Sequence, residues 1–380
     1  MSICKLCKKQ DAMSLEHVIP SALGGTLQVK GILCTKCNSE SGRGIDAELI
    51  KAFDFARMLL DIRGDRGQAA NVRGQDPKLG GLILESGGKP RPMDHAPQLL
   101  SENADGSKTY RVASPAAARR FVEAQRRKNP GANYRVNEAW TTSSFSDMVN
   151  VNFSIGGEDF YRSCVKSILS LLIVRGVTDS QILDAGAWRY VAGASGDESG
   201  VHTCLAPAQP LWSPSERLGK MYHAITVHGD SSTRDVRAEV RFFGGISVGV
   251  EIRGAACTDC RFGYAVDPMT GEEQDHDTWS GALAAPPRYI TDEVIESTRQ
   301  AVTAIVKTGL ERQNQQLLHD ITDRAMAKAF AGLEEGAPIP AEVLDRLAEE
   351  VALDFTRHLM RTDWKEPAPD LVEELNRRKS

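Results

Sequence analysis

The sequence predicts an α+β protein with a small metal-held module at its N-terminus, a central, mostly antiparallel sheet packed on a buried helix, and helices at its C-terminus. Three observations predict it. Two Cys-x-x-Cys pairs, Cys4/Cys7 and Cys34/Cys37, stand close to the start of the chain. Apolar and polar residues alternate with period two in short runs between about residues 109 and 290, as strands require. From Thr291 onward the apolar spacing changes to three and four, as helices require. The expected segments are 1–65, 75–290 and 291–365.

A chain of 380 residues exceeds one ordinary domain, so two or three are expected. Hydrophobic content of 41% and charged content of 26% are those of a globular protein, and no apolar run approaches the roughly 18–20 residues of a membrane span. The first residues, Met1-Ser2-Ile3-Cys4-Lys5-Leu6-Cys7, hold no apolar signal core, so a cytoplasmic protein without membrane contact is expected. In a reducing compartment, paired Cys-x-x-Cys spacings fit metal better than disulfides. A net charge of −5 excludes a protein that coats nucleic acid over its whole surface, so any phosphate contact must be local.

Taken in order, Ile45, Leu49, Ile50 and Phe53 fall at helical spacing just behind the second Cys pair. The Gly-, Pro- and Asp-rich stretch 63–97 reads as a linker with one short strand, Gly81–Leu84, and a boundary near residue 70. Thr109–Ala113 and Val149–Phe153 read as strands. Between them Ser114-Pro115 opens a helix to Lys128, with Ser as N-cap and Pro at the first helical position. Phe160–Val174 is too long and apolar for an exposed strand and reads as a helix buried against the sheet. His223–Val227, Val236–Phe242 and Ile246–Val250, separated by turns at Gly229–Ser232 and Gly244-Gly245, form a meander. Tyr264–Val266 runs as a strand into a turn ending at Gly271. At the C-terminus Val294, Ile295, Val302, Ile305, Val306, Leu310, Leu317, Leu318, Ile321 and Phe330 are expected on one helical face, Pro338 and Pro340 break it, and Ala341–Met360 forms a second amphipathic helix.

Each Cys-x-x-Cys presents two sulfurs from one tight turn, and two such pairs complete a tetrahedron suited to structural Zn²⁺. A zinc ribbon that only folds, or that binds nucleic acid as a scaffold without catalysis, satisfies this spacing too. Glu16, His17 and Asn38 are not needed for zinc. Four sulfurs close the zinc site, so hydrolysis would need a second, hard cation. Glu16 offers a carboxylate oxygen and Asn38 an amide oxygen, the ligands Mg²⁺ or Mn²⁺ accept, and the His17 imidazole can take a proton near neutral pH.

The runs Ser14-Leu15-Glu16-His17-Val18-Ile19-Pro20-Ser21-Ala22-Leu23-Gly24-Gly25 and Val29-Lys30-Gly31-Ile32-Leu33-Cys34-Thr35-Lys36-Cys37-Asn38 resemble the HNH endonucleases of the His-Me finger, or ββα-metal, group. The second run is also similar to phage resolvases of the endonuclease VII type. The resemblance spans about the first 60 residues. It implies a β-hairpin followed by a helix, gripping one divalent ion beside the four-Cys zinc, and DNA as substrate. His17 would be the general base, Glu16 and Asn38 the ligands of the catalytic ion. Asp46, on the following helix, would be a further ligand or a group that supports the ligands from behind, the alternative being a solvated helix residue. The middle Asn of the HNH signature, expected about five residues before Cys34, is replaced by Val29, so the sequence does not name the group that orients His17, a backbone carbonyl being one candidate.

Other signals are weaker. Arg119, Arg120, Arg126, Arg127 and Lys128 form the most basic segment and would hold DNA phosphates, or else form a solvated face. Cys257-x-x-Cys260 would need Cys164 and Cys204 to make a second zinc site, and two ordinary thiols are the simpler reading. Asp275-His276-Asp277 reads as a solvent-exposed loop, and Gly24 and Gly25 as turn residues. The large remainder of the chain is expected to control or target cutting. Bacterial defence effectors that join an HNH nuclease to a sensor are similar in size and order of parts, which implies an activating ligand or protein partner. The C-terminal helices offer a face for a homodimer, with packing inside the chain as the default.

Overall fold

The computed structural model describes residues 3–9, 11–67, 70–77, 80–93, 97–112, 115–134, 149–177, 186–209, 212, 214–254, 258–277, 281–333 and 338–359. Its N-terminal part is a hairpin of β1 (Leu15–His17) and β2 (Gln28–Lys30), with Glu16 opposite Val29 and His17 opposite Gln28. The connection between them needs glycine twice. A Cβ on Gly24, whose φ is +86°, would lie 2.5 Å from the Pro268 backbone, and one on Gly25 would lie 1.9 Å from the Ile19 carbonyl oxygen. Three short helices follow: α1 (Thr35–Arg43), α2 (Ile45–Ala52) and α3 (Asp54–Leu60).

The stretch expected to be a linker is sheet. Strands β3 (Val72–Asp76), β4 (Gly80–Glu85) and β5 (Lys89–Pro92) join β8 (Asn150–Val151) in the order β5-β4-β3-β8. The prolines that suggested a linker, Pro90 and Pro92, sit on edge strand β5, where a missing N–H breaks no ladder. A hairpin of β6 (Gln98–Glu102) and β7 (Lys108–Arg111) leads to α4 (Pro115–Lys128); Ser114, its expected N-cap, lies outside the described residues.

Helix α5 (Glu158–Val174) is buried at every position from Ser163 to Leu172. Short helices α6 (Ala187–Val191) and α7 (Gly196–Ser199) lead into a six-stranded sheet. Its strands are β9 (Val201–Ala206), β10 (His223–Asp230), β11 (Asp235–Phe242), β12 (Ile246–Ile252), β13 (Cys260–Val266) and β14 (Glu273–His276). They pair antiparallel throughout, in the order β14-β13-β10-β11-β12-β9. Asp275 and His276, expected in a loop, lie in edge strand β14, where Asp275 pairs with Arg175 and the His276 ring stacks on Trp212 at 5.3 Å.

Phe53, between α2 and α3, ties the first part of the chain to the sheet. Its ring centroid lies 4.7 Å from Phe242, 5.4 Å from Phe243 and 6.0 Å from Phe160 of α5. One apolar core therefore runs from Cys4 through α5 and the sheet to Ile305. The N-terminal part has a larger core than its own residues supply.

Helix α8 (Asp292–Ala329) and helix α9 (Ala341–Leu359) end the described chain. Described residues up to 309 form one compact unit and those from 310 a second. Within the second, Ile321, Ala325, Ala329 and Val343 are buried, and Arg324–Asp354 and Lys328–Glu350 pair at 3.2 and 2.7 Å. Among the described residues no helix is long and apolar enough to cross a membrane.

Candidate active site

The four cysteines of the two knuckles converge. Their sulfurs all lie within 4.8 Å of one another, with Cys7 and Cys34 at 3.9 Å. Zinc–sulfur bonds of about 2.3 Å set tetrahedron edges of about 3.8 Å, so the donor set fits Zn²⁺. Cys34 caps α1 and its Sγ accepts the Cys37 backbone N–H at 3.4 Å, the turn that aims both sulfurs one way. Burial alone would raise the Cys4 thiol, but N–H groups of Cys34, Cys7 and Leu6 donate to its sulfur and bring it down to about 6, toward the thiolate a metal takes. Among the described residues no other group of three or more His, Cys, Asp or Glu side chains converges this way; Cys257 lies outside them, and Cys164 and Cys204 are buried free thiols.

Beside the zinc ligands, Glu16 and His17 of β1 and Asn38 of α1 line a cleft of about 570 Å³. Both Asn38 amide hydrogens are committed: Nδ2 donates to Ser14 Oγ at 2.6 Å and to the Leu15 carbonyl at 3.0 Å. Oδ1 is left for the cleft. Glu16 is 4% exposed, and its Oε2 is buried with no hydrogen-bond partner among the described residues. An orphaned carboxylate oxygen and a fixed amide oxygen are hard donors of the kind Mg²⁺ or Mn²⁺ binds, so these residues fit a divalent cation.

His17 Nε2 lies 3.1 Å from Asp65 Oδ2 and 2.9 Å from the Gln28 side-chain amide. Two side chains thus meet the ring at one nitrogen, which donates to Asp65 when protonated and accepts from Gln28 when not. Gln28 faces His17 in the hairpin register, one residue before Val29, and Asp65 comes from the loop after α3. Burial shifts the His17 pKa below the ordinary imidazole value; Asp65 opposes that shift and Lys166 adds to it. The ring is therefore neutral near pH 7.

Glu16 and Asp46 are bridged by a residue far away in sequence. Lys166 of α5, 1% exposed, donates from Nζ to Glu16 Oε1 at 2.6 Å and to Asp46 Oδ2 at 2.5 Å. Asp46 Oδ1 accepts from Ser163 Oγ at 2.6 Å, so both its oxygens are taken. Asp46 is buried rather than solvated, and it grips Lys166. Burial raises the Glu16 carboxyl above its usual range, opposed by the Lys166 ammonium, while the two carboxylates hold Lys166 charged against its own burial.

The rim of the cleft is basic. Arg43, Arg63 and Arg66 are exposed on it; Arg57 beneath is tied to the Ala22 carbonyl and to Asp54, each at 2.6 Å. The nominated basic residues of α4, Arg119, Arg120, Arg126, Arg127 and Lys128, are exposed but do not line this cleft. Sequence reading missed the rim because its arginines are scattered over 24 positions instead of forming a run. Lys166 did leave a signal: a lysine inside an apolar, buried helix must have a carboxylate partner.

A four-Cys cluster that fits zinc thus stands beside a hairpin-and-helix cleft lined by an imidazole, a carboxylate and an amide. Residues 3–54 match the family model described as HNH endonuclease, and the chain carries an HNH domain there. No curated protein and no solved structure matches the chain.

Proposed function

We propose that this protein is a Mg²⁺- or Mn²⁺-dependent endonuclease that hydrolyses DNA phosphodiester bonds in the cleft behind β1 and α1. The observation that carries the reading is the convergence, on one cleft, of a neutral imidazole with an orphaned carboxylate oxygen and a fixed amide oxygen. Asp65 accepts the Nε2 proton of His17, which leaves Nδ1 with the lone pair that takes a proton from the attacking water. In that tautomer the Gln28 amide nitrogen, itself a donor, packs beside Nε2 without a hydrogen bond to it. Glu16 and Asn38 would hold the divalent ion, with Asp46 acting on it only through Lys166. Bound there, the ion supplies charge stabilisation on the scissile phosphate and the departing 3′ oxygen, leaving 5′-phosphate ends. Arg43, Arg63 and Arg66 give the strand a basic rim to lie against. The rest of the chain, which completes the site's core, would control or target cutting.

The test is supercoiled plasmid with zinc-loaded protein and Mg²⁺ or Mn²⁺, beside the His17→Ala protein and an EDTA control. Nicking or linearisation is expected, falling about 10²–10⁴-fold in His17→Ala while DNA binding stays unchanged. Equal cutting by His17→Ala would remove His17 from the chemistry. Binding with no cutting by any folded sample would favour a zinc-stabilised binding protein.

A further inference from the structure

The matched domain ends at residue 54, yet the cation that pairs with the cleft-lining Glu16 and Asp46 is the buried Lys166, 150 positions after Glu16. The Nζ of Lys166 divides the carboxylate of Glu16, a residue that lines the cleft: Oε1 is clamped, and Oε2 is left buried and without a hydrogen-bond partner among the described residues. Nothing else described holds that carboxylate in place. Lys166 is itself fixed, because Asp46 takes a second of its protons, and Ser163, one turn earlier on α5, holds Asp46. The chain Ser163, Asp46, Lys166, Glu16 thus runs from α5 to the metal-ligating position without a gap larger than one hydrogen bond.

We propose that Lys166 is a positioning residue of the nuclease centre, contributed by α5, which orients Glu16 so that Oε2 faces the divalent ion. The domain of residues 3–54 is then incomplete as a catalytic unit, and any displacement of α5 would reach the cation site through one side chain. The proposal rests on the nuclease reading above. A buried ammonium without such a role would be an ordinary internal ion pair, holding the fold and leaving cation affinity untouched.

The experiment measures Mn²⁺ binding to the full-length, zinc-loaded protein by electron paramagnetic resonance, with plasmid cleavage as a function of Mn²⁺ alongside. Glu16→Gln and Lys166→Met are compared with wild type, with Lys51→Met, an exposed lysine of α2 outside the cleft, as the control. Loss of a group that orients a ligand weakens metal binding by about 10–100-fold. Lys166→Met is therefore expected to raise the Mn²⁺ Kd and the Mn²⁺ needed for half-maximal cutting by that factor, and Lys51→Met by less than about threefold. Since Lys166→Met strands two buried carboxylates, the double variant Lys166→Met with Asp46→Asn, which removes the donor to Glu16 and leaves one carboxylate instead of two, carries the test if the single variant does not fold; the same 10–100-fold weakening is expected. Mn²⁺ affinity within twofold of wild type in either folded Lys166 variant overturns the proposal while leaving the nuclease reading intact. Wild-type protein whose Mn²⁺ binding is unchanged by Glu16→Gln overturns the cation site itself, and the role of Lys166 with it.

Discussion

Among single residues, each catalytic candidate is fixed by a neighbour whose own position comes from elsewhere in the chain. Asn38 is turned by Ser14 and Leu15, His17 by Asp65, and Glu16 by Lys166. The candidates themselves were legible in the sequence because the chemistry demands these residue types at short spacing. Their supports were not, since no local pattern joins residue 16 to residue 166. The same holds for the basic contacts: clustering nominated α4, whereas Arg43 and Arg66 stand on the cleft rim. Each arginine that neutralises a phosphate releases close to one counterion. In the non-cutting His17→Ala background, Arg43→Ala and Arg66→Ala are each expected to lower DNA affinity and reduce the slope of log K against log salt by about one. Arg126→Ala and Arg127→Ala should leave that slope alone. Fluorescence anisotropy over a salt series reads both, and the reverse pattern would move the DNA path to α4.

At the level of elements, what the sequence announced was strands and helices with strong periodicity: β10, β11, β12, α5 and the C-terminal helices lie where alternation and helical spacing put them. The sheet of β3, β4, β5 and β8 was hidden because glycine and proline dominate its sequence, and edge strands tolerate both. Also unannounced was the joint between β10 and the HNH domain. His223 is fully buried, its Nε2 2.8 Å from the Leu23 carbonyl and its Nδ1 accepting the Phe243 N–H at 3.3 Å. With Nδ1 an acceptor and the ring out of water, the neutral form is favoured, and burial brings its pKa down to about 4 from 6.5. A folded pKa below the unfolded one means stability present above pH 6.5 and lost progressively as pH falls toward 4. At ~1.4 kcal/mol per tenfold change in proton affinity, the loss across that window comes to roughly 3.5 kcal/mol. Wild type should therefore lose melting temperature between pH 7 and 4.5 more steeply than His223→Gln, which keeps polar reach but does not titrate. Parallel slopes for the two proteins would place the acid sensitivity elsewhere.

On the scale of the whole molecule, the question is whether the HNH domain can stand alone. Small zinc domains usually fold because the metal supplies what a small core cannot. Here the four cysteines close one end of the domain, but Leu49, Phe53, Phe55 and Met58 are buried in a core shared with α5 and the six-stranded sheet. Removing that cover exposes several large apolar side chains, each worth about 1.5–3 kcal/mol when buried, and zinc does nothing to replace them. Glu16 would lose Lys166 as well. A fragment of residues 1–65 is therefore expected to take up zinc through its cysteines, bind a dye that reports exposed apolar surface, melt without a cooperative transition and leave plasmid uncut. The full chain, under the same zinc and Mn²⁺, is expected to melt cooperatively and cut. Calorimetry and a plasmid assay on the two proteins decide it. A fragment that melts sharply and nicks DNA would show that the zinc and the hairpin suffice, and that α5 and the sheet are cover for the nuclease centre without being part of it.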